Sequence, residues 1–367
     1  MINFQVLPAS YGDALLLYWE HEGLCYRVLI DGGIPATYKE VINPILTTLV
    51  KKGQGLDLAI LTHVDFDHIS GILALASDIH CERLPASTVK EWWFNSLNLI
   101  NRHLGINATK SDQRLPIPEI KSDNRQISFK QGIALEEFLQ KSNCWRQELL
   151  TNDAHPITLG GARFTFLAPH AEDLRKLALS WEEVIAQENN RQISARKKDW
   201  DEGFHTLVSR PFRRDSSLTN ASSIAFLWEY AENSILFLAD SQPDKYLTAI
   251  ERIKTERGQA RIPVDVVKLA HHGSKHNFSE ELLDLVECNR FVISTDASKH
   301  GLPDKETLVK IICHKYRNPH TKLQVFFNYG NADLKKLFAN EHADLTSNYN
   351  TELVWPIDHA YGIDITI

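Results

Sequence analysis

The sequence of 367 residues contains no run of about 20 consecutive apolar residues, the length that a helix needs to cross a bilayer. Its first residues also lack the basic segment and apolar run of a secretory signal. We therefore expect a cytoplasmic protein that makes no membrane contact. Internal repeats and low-complexity tracts are absent from the sequence as well, which argues against a repeat architecture.

Cysteine and excess positive charge are also scarce. The five cysteines are scattered and form no Cys-x-x-Cys pair, so the sequence indicates neither a disulfide framework nor a thiolate zinc site. A net charge of −7 and a pI near 6.1 provide no overall basic field for nucleic acid. Basic residues cluster at 191–198 and 210–214, but acidic neighbours offset them, which favours a solvated face.

The rest of the composition is that of an ordinary globular protein, with 43% hydrophobic and 24% charged residues. Short apolar runs alternate with helical patterns, which predicts an α/β fold. In the first third, we predict strands at 4–9, 13–19, 26–30, 56–61 and 91–95, and helices at 38–51 and 68–77. Further on, we predict hairpins at 157–169 and 223–239, a charged helix at 172–200, strands at 264–270, 290–295 and 323–328, and a helix at 304–316.

Two segments interrupt this pattern. Residues 96–155 are largely polar with only weak helical signals, and residues 172–218 begin with the charged helix. We interpret both as insertions in a single domain that spans residues 1–367. Long irregular insertions in compact domains are often functional, so these segments are candidates for a lid or a protein-binding surface.

Four potential metal ligands lie within six positions directly after the predicted strand at 56–61: His63, Asp65, Asp67 and His68. Ligands in open α/β sheets usually bind at the carboxyl ends of the strands. Imidazole and carboxylate groups together suit zinc, manganese or iron, and one compact loop can direct them to two neighbouring ions. A polar loop with a helix cap at Asp67 would explain neither histidine.

The segment Thr62 to Gly71 resembles the signature of the metallo-β-lactamase superfamily, His-x-His-x-Asp-His followed by Gly, except that Asp65 stands at the second histidine. This variant is similar to the one in the ComEC-type domain of DNA-uptake channels and in stand-alone hydrolases. The resemblance extends to the following segments: Tyr11-Gly12-Asp13-Ala14, Ile30-Asp31-Gly32-Gly33, Asn220 to Ser223, Ala239-Asp240 and His271-His272-Gly273-Ser274. It implies a four-layer αββα sandwich.

The resemblance also implies roles for individual residues. His63 and Asp65 would bind one ion, Asp67 and His68 the other, and Asp240 would bridge the two. The pair His271 and His272 would supply a further ligand, with a slight preference for His272. The third histidine of the family has no clear counterpart, although His170 is a candidate. Asp65 makes the ligand set harder, which favours manganese over zinc.

Other residues are candidates for orienting ligands or contacting substrate. Asp31 could form a turn or, as the resemblance implies, orient the metal-binding loop. Asn220 lies in a matching segment, and Ser274 and Lys275 follow the histidine pair where a phosphate could bind. His300 lies near Gly301-Leu302-Pro303, which resembles a Gly-His-Pro segment of the family. Lys268, inside an apolar strand, could point outward or reach a substrate.

We therefore predict a hydrolase in which two divalent ions, zinc or manganese, activate a hydroxide, with Asp67, Asp240 and His272 as catalytic residues. Because of the aspartate variant and the His-His-Gly-Ser segment, a phosphodiesterase or nuclease is the first hypothesis. The fold alone does not decide the substrate, so a small ester, thioester or lactam is the alternative. A regulatory subunit that binds a protein partner through the insertions, as in a multi-protein defence system, is the third hypothesis.

Overall fold

Two β-sheets form the centre of the protein. We describe it from a computed structural model, which covers residues 2–106, 125–188, 198–358 and 361–367. The first sheet has six strands in the order β16-β1-β2-β3-β4-β5. Their bounds are β1 Ile2–Val6, β2 Leu15–His21, β3 Leu24–Ile30, β4 Leu58–Ile60, β5 Trp92–Trp93 and β16 Ile363–Thr366. β3, β4 and β5 are parallel, and the other neighbours are antiparallel.

The second sheet has eight strands in the order β15-β14-β13-β11-β9-β8-β7-β6. Their bounds are β6 Ile157–Leu159, β7 Ala162–Ala168, β8 Ala225–Tyr230, β9 Asn233–Phe237, β11 Val266–Lys268, β13 Arg290–Ile293, β14 Leu323–Phe327 and β15 Thr351–Val354. β10 Ile262–Pro263 and β12 Val286–Glu287 form a separate parallel pair. The strands from β9 to β15 are parallel, whereas β6 to β9 form the two predicted antiparallel hairpins.

A layer of apolar side chains joins the two sheets face to face. In β1, Ile2, Phe4 and Val6 are buried and alternate with half-buried polar residues, as expected for a strand with one face in a core. Aromatic rings meet across the layer, with Phe4 and Phe237 at 5.2 Å and Trp19 and Trp228 at 5.3 Å between ring centroids. Both contacts are edge-to-face, the geometry that aromatic pairs prefer.

Helices cover the outer faces of both sheets. Their bounds are α1 Pro35–Thr37, α2 Asn43–Lys51, α3 Phe66–His80, α4 Leu97–Leu104, α5 Arg125–Ser142, α6 Ala171–Glu188, α7 Phe204–Val208, α8 Leu218–Ala221, α9 Pro243–Glu256, α10 Glu281–Leu285, α11 Lys305–Ile312 and α12 His342–Ser347. Apolar side chains of α2, α3, α5 and α6 pack against the first sheet, and those of α9, α10 and α11 against the second. This arrangement is the predicted αββα sandwich. Among the described helices, none is long and apolar enough to span a membrane.

The predicted strands and helices overlap strands and helices of the structure, but several bounds differ. The helix predicted at 172–200 corresponds to α6, which is described to Glu188, and residues 189–197 lie outside the described residues. β15 and β16 were not predicted. β1 ends at Val6 rather than at residue 9, and the strand predicted at 91–95 is only two residues long. Residues 7–9 are nevertheless buried, although they belong to no strand. An apolar run in a sequence indicates buried residues, and at the end of β1 the buried residues continue beyond the strand's hydrogen bonds.

The polar segment 96–155 contains an element of the core. α5 packs against α3, and Phe129 and Leu135 are buried in the cluster beneath the first sheet. The placement of insertions at 96–155 and 172–218 stays a prediction. Residues 107–124 and 189–197, including most of the predicted basic cluster at 191–198, lie outside the described residues.

Candidate metal centre

Polar residues converge where strands of both sheets end. β4 ends at Ile60, shortly before His63, and β9 ends at Phe237, shortly before Asp240. The histidine pair His271 and His272 follows β11, which ends at Lys268. These strands all direct their carboxyl ends to one edge of the sandwich, which brings together residues more than 200 positions apart.

Glycine allows the loop around Asp31 to approach α3 closely. A Cβ atom added to Gly71, within α3, would lie 1.9 Å from the backbone oxygen of Gly32, so only glycine fits there. The backbone of Gly32 donates to the carbonyl of His68, and Gly71 donates to the carbonyl of Gly33. The first turn of α3 is thereby fixed against the end of β3.

Three histidines surround the carboxylate of Asp240. The Nε2 atoms of His63 and His271 lie 3.8 and 3.7 Å from Oδ2 of Asp240, and Nε2 of His68 lies 3.6 Å from Oδ1. These distances are too long for hydrogen bonds. They suit atoms that share an ion, because two ligands at about 2.0–2.1 Å from a tetrahedral zinc stand roughly 3.3 Å apart.

Two further carboxylates complete the arrangement. Oδ2 of Asp65 lies 3.7 Å from Nε2 of His63, and Oδ2 of Asp67 lies 3.5 Å from Nε2 of His272. Asp65 occupies the N-cap position of α3, but its side chain makes no capping hydrogen bond with the helix. By distance, the donors include two overlapping groups, His63 with His68 and Asp240, and Asp67 with His68 and His272.

Hydrogen bonds that Asp31 accepts orient the first two histidines, one directly and one through Thr62. Thr62 donates its hydroxyl hydrogen to Asp31 Oδ2 at 2.7 Å, so its oxygen can accept Nδ1–H of His63 at 3.0 Å. His68 donates Nδ1–H to the same Asp31 oxygen at 2.8 Å. Asp31 thus acts as an orienting residue, and each ring presents Nε2 to the site.

The histidine pair is held in the same way. His271 donates Nδ1–H to Oδ1 of Asn277 at 3.0 Å, and His272 donates Nδ1–H to the carbonyl of Ser294 at 2.8 Å. The amide nitrogen of Asn277 donates to the carbonyl of Asp240 at 3.0 Å, which fixes the orientation of the amide. The rings of His271 and His272 therefore both turn Nε2 toward the carboxylates of the centre, so either ring is placed to bind a metal ion.

Unsatisfied polar atoms show that the pocket suits cations. Among the described residues, the Nε2 atoms of His63, His68 and His272 and Oδ1 of Asp240 are buried and have no hydrogen-bond partner. Buried polar atoms rarely stay unpaired, because each costs about 1–3 kcal/mol. Nitrogen and carboxylate donors at these spacings fit divalent ions of the zinc or manganese type.

The electrostatics of the site agree with this fit. Burial alone would lower the pKa of His272, but the neighbouring carboxylates of Asp13 and Asp240 raise it to about 10. Burial likewise opposes a charged His68, whereas Asp240 and Asp31 raise the pKa of that ring well above its ordinary value. The surplus of carboxylates thus retains protons on the rings, and bound cations would replace those protons.

Beside the centre lies a buried ion pair that the sequence did not reveal. Lys268 points into the protein and donates to Oδ2 of Asp13 at 2.7 Å, and both residues are 1% exposed. Oδ1 of Asp13 lies 3.4 Å from Nδ1 of His272. Asp13, Asp31 and His68 could by distance form a third ligand group. In this group, however, the Asp13 carboxylate is already paired with the Lys268 ammonium, and Nδ1–H of His68 already donates to Asp31.

Other candidates from the sequence lie further from the donors. Lys275 Nζ lies 3.2 Å from Asp304 and 3.3 Å from Asp199, so its charge is paired within the protein. His170 contacts the carbonyl of Lys245 through Nε2 and is not part of the centre. His271 instead lies beside Asp240, with its Nε2 3.7 Å from Oδ2.

The remaining three candidates line the surroundings of the centre. The amide of Asn220 donates to Asp215 at 2.7 Å and lies 3.3 Å from Nδ1 of His271. Ser274 is buried, and its hydroxyl accepts the backbone N–H of His276. The ring of His300 meets that of Tyr11 edge-to-face at 6.3 Å. Their roles toward ligands or substrate stay predictions.

Comparisons with known proteins agree with this architecture. Residues 20–139 match the family model described as "Metallo-beta-lactamase superfamily". No curated protein matches the chain.

Several solved structures are similar to the chain. YhfI, a metallo-beta-lactamase fold protein from Bacillus subtilis, shares 10% identity over 100% of both chains with a TM-score of 0.41. CmlA, a diiron beta-hydroxylase from Streptomyces venezuelae, shares 13% identity over 85% of this chain and 49% of its own, with a TM-score of 0.37. A metallo-beta-lactamase from Cronobacter sakazakii shares 13% identity over 74% and 78%, with a TM-score of 0.32. Residues 20–139 thus match the metallo-β-lactamase superfamily model, and the chain forms the αββα sandwich described above.

Proposed function

We propose that this protein is a metal-dependent hydrolase that cleaves phosphodiester bonds, as a phosphodiesterase or nuclease. The observation that carries the proposal is the arrangement around Asp240. Four histidines present Nε2, and three carboxylates lie between them. Among the described residues, the Nε2 atoms of His63, His68 and His272 and Oδ1 of Asp240 are buried without hydrogen-bond partners. Such a cluster is costly unless it binds cations.

The geometry supports an assignment of the ligands to two positions that share Asp240. His63, Asp65 and His271 would hold the first ion, and Asp67, His68 and His272 the second. His271 would thereby supply the third protein ligand of the first ion, in addition to the shared Asp240. When bound, such ions act as Lewis acids and lower the pKa of water from 15.7 to about 7.

The carboxylates of the centre contribute more than binding. Burial alone would raise the pKa of Asp67, but His272 and His68 hold it below its ordinary value, so the group stays ionised at neutral pH. Oδ2 of Asp67 faces His272, and its second oxygen can accept a hydrogen bond from an attacking water. Asp67 would thus orient the nucleophile.

The choice of a phosphodiester rests on the hardness of the ligand set. Asp65 supplies a carboxylate where the resembled motif has a histidine, and harder oxygen ligands favour ions such as manganese. A dinuclear centre of this kind suits phosphoryl transfer, because two ions can stabilise both the attacking and the leaving oxygen. A neutral ester or lactam requires less charge stabilisation at its reacting group.

A substrate panel tests the proposal. The purified protein would be loaded with manganese or zinc and assayed with single-stranded DNA, RNA, cyclic dinucleotides, bis(p-nitrophenyl) phosphate and p-nitrophenyl acetate. We expect turnover of at least one phosphodiester. Turnover of the ester alone would refute the phosphodiesterase hypothesis and support the alternative of a small ester, thioester or lactam.

Matched variants test the site itself. Asp240→Asn keeps the size of the side chain but weakens the shared ligand, so bound metal and activity should both fall. The loss should exceed the roughly 10–100-fold effect of removing an orienting partner. Asp153→Asn, at a side chain that is 74% exposed, is the control. Unchanged metal content in Asp240→Asn, measured by elemental analysis, would contradict the assignment.

A further inference from the structure

Two loops from opposite sheets meet at the rim of the metal centre. One joins β1 to β2 and contains Ser10 and Tyr11, and the other follows β13 and contains Asp296 and Lys299. Ser10 donates its hydroxyl to Asp296 Oδ2 at 2.6 Å and accepts the Asp296 backbone N–H at 2.8 Å. These two hydrogen bonds join the loops into one wall.

At the end of this wall, Lys299 and Tyr11 form a polar pair. Nζ of Lys299 donates to Oη of Tyr11 at 3.1 Å and lies 4.2 Å from the ring centroid. Both residues are half-buried. Because the phenol oxygen accepts a hydrogen from Lys299, the hydroxyl hydrogen of Tyr11 points away from the ammonium.

The pair lies on the Asp67 side of the centre. Directly after Tyr11, the backbone touches that of Asp67: a Cβ added to Gly12 would lie 2.0 Å from the Asp67 oxygen. Asp13 also donates its backbone N–H to the same oxygen at 3.2 Å. Tyr11 is therefore held next to the residue that we expect to orient the nucleophile.

The chemistry of the pair is that of an anion-binding site. Burial, reinforced by the charges of Asp67 and Asp296, raises the pKa of Tyr11, so the phenol keeps its hydrogen at neutral pH. Burial lowers the pKa of Lys299, but the charge of Asp67 opposes this and favours the ammonium form. One wall thus offers a neutral donor and a cation side by side, a combination that suits a phosphate oxygen.

We propose that Tyr11 and Lys299 form an anion subsite that binds a phosphate oxygen of the substrate beside Asp67. The inference rests on the proposed function for its substrate, a phosphate ester. In a chain with a net charge of −7, a cation at the rim would offset the repulsion that an anionic substrate meets on approach.

Kinetics of charged and neutral substrates test the subsite. Lys299→Met and Tyr11→Phe would be compared with a control variant, Lys322→Met. Lys322 is 59% exposed and directly precedes the first residue of β14. For bis(p-nitrophenyl) phosphate, Lys299→Met should raise KM about 10-fold or more, the size expected for loss of a charged hydrogen bond. The kcat and the metal content should change little, and Lys299→Arg should retain most of the affinity.

Inorganic phosphate provides a readout that does not require phosphodiester turnover. Its inhibition constant should rise in Lys299→Met and, to a smaller degree, in Tyr11→Phe, whereas Lys322→Met should match the unmodified protein. If the protein hydrolyses only p-nitrophenyl acetate, the proposed function fails, but phosphate inhibition of that reaction still tests the subsite. If it hydrolyses neither, calorimetric titration of the metal-loaded protein with phosphate replaces inhibition.

Two results would overturn the inference. One is an unchanged phosphate affinity in Lys299→Met. The other is an equal rise in KM for the neutral ester and the phosphodiester, which would indicate that the wall only shapes the pocket.

Discussion

Replacing Lys268 with methionine removes one charge from the buried pair beside the metal centre while keeping an unbranched side chain of similar length. In the native protein, Lys268 Nζ lies 2.7 Å from Oδ2 of Asp13, and both residues are 1% exposed. The other oxygen of Asp13 is buried without a hydrogen-bond partner among the described residues and lies 3.4 Å from His272. The variant would leave this carboxylate without its closest cation.

The expected loss is large because little water can reach Asp13. Breaking a buried ion pair by removing one partner costs about 3–5 kcal/mol, whereas an exposed pair contributes about 0–1 kcal/mol. Lys90 and Asp57 provide a matched control, since their Nζ–Oδ1 distance is also 2.7 Å but Lys90 is 69% exposed. Lys90→Met should therefore cost no more than about 1 kcal/mol.

The pH dependence has a definite sign. Burial alone would raise the pKa of Asp13, and Lys268 is the main group that lowers it. A group with a lowered pKa contributes stability above its unfolded pKa of about 3.9, and the contribution is lost as the pH falls through the folded pKa. Without Lys268, the pKa of Asp13 rises and protonation neutralises the charge. The deficit of Lys268→Met should thus be largest near pH 7 and shrink toward pH 4.

Urea denaturation of the metal-free protein, followed by tryptophan fluorescence, would measure these free energies. The double variant Asp13→Asn with Lys268→Met tests the coupling, because it removes the carboxylate charge along with the cation. It should be less destabilised than Lys268→Met alone. A loss below about 1 kcal/mol in Lys268→Met, or a double variant that is less stable than the single one, would refute the reasoning.

Three further outcomes follow from the geometry. Thr62→Val removes the hydroxyl that links Asp31 to His63, so metal affinity should fall about 10–100-fold. Thr62→Ser keeps the hydroxyl and should keep the affinity, and competition with a chelator measures the metal affinity of both variants. Metal binding should strengthen from pH 6 to pH 8 and release protons, because the pKa of His272 is about 10 without metal; calorimetry in buffers of different ionisation heat detects the release. Gly12→Ala should disrupt the centre, since its Cβ would overlap the backbone of Asp67; retention of full metal content in a folded Gly12→Ala would contradict the close approach.

Much of the candidate site could be predicted from the sequence because its ligands are local. His63, Asp65, Asp67 and His68 follow one apolar strand and precede one helix, so neighbouring residues on a short loop necessarily share an edge of the sheet. Apolar periodicity likewise predicted most strands of both sheets, although not β15 and β16. Their bounds were less certain, because buried residues such as those at 7–9 continue beyond the hydrogen-bonded ladder.

Other features depend on backbone angles that no residue pattern specifies. His271 and His272 both adopt left-handed conformations, with φ of 45° and 53°, which turn consecutive rings by 70° relative to each other. One ring therefore faces Oδ2 of Asp240 and the other faces Asp67. An ordinary extended backbone would send neighbouring side chains to opposite faces, and only one could then reach the centre.

The sequence by itself predicted an α/β fold and the residue types of the centre, because periodicity and strand-end position are properties of short segments, whereas the αββα layering was implied by the family resemblance. Only the tertiary structure decided that Lys268 points inward, since its partner Asp13 lies 255 residues away in the loop between β1 and β2. It also decided that Lys275 pairs with Asp199 and Asp304, and that Tyr11 and Lys299 share one wall. The energy of a charge depends on which opposite charge the fold brings near it and on how much water the fold excludes.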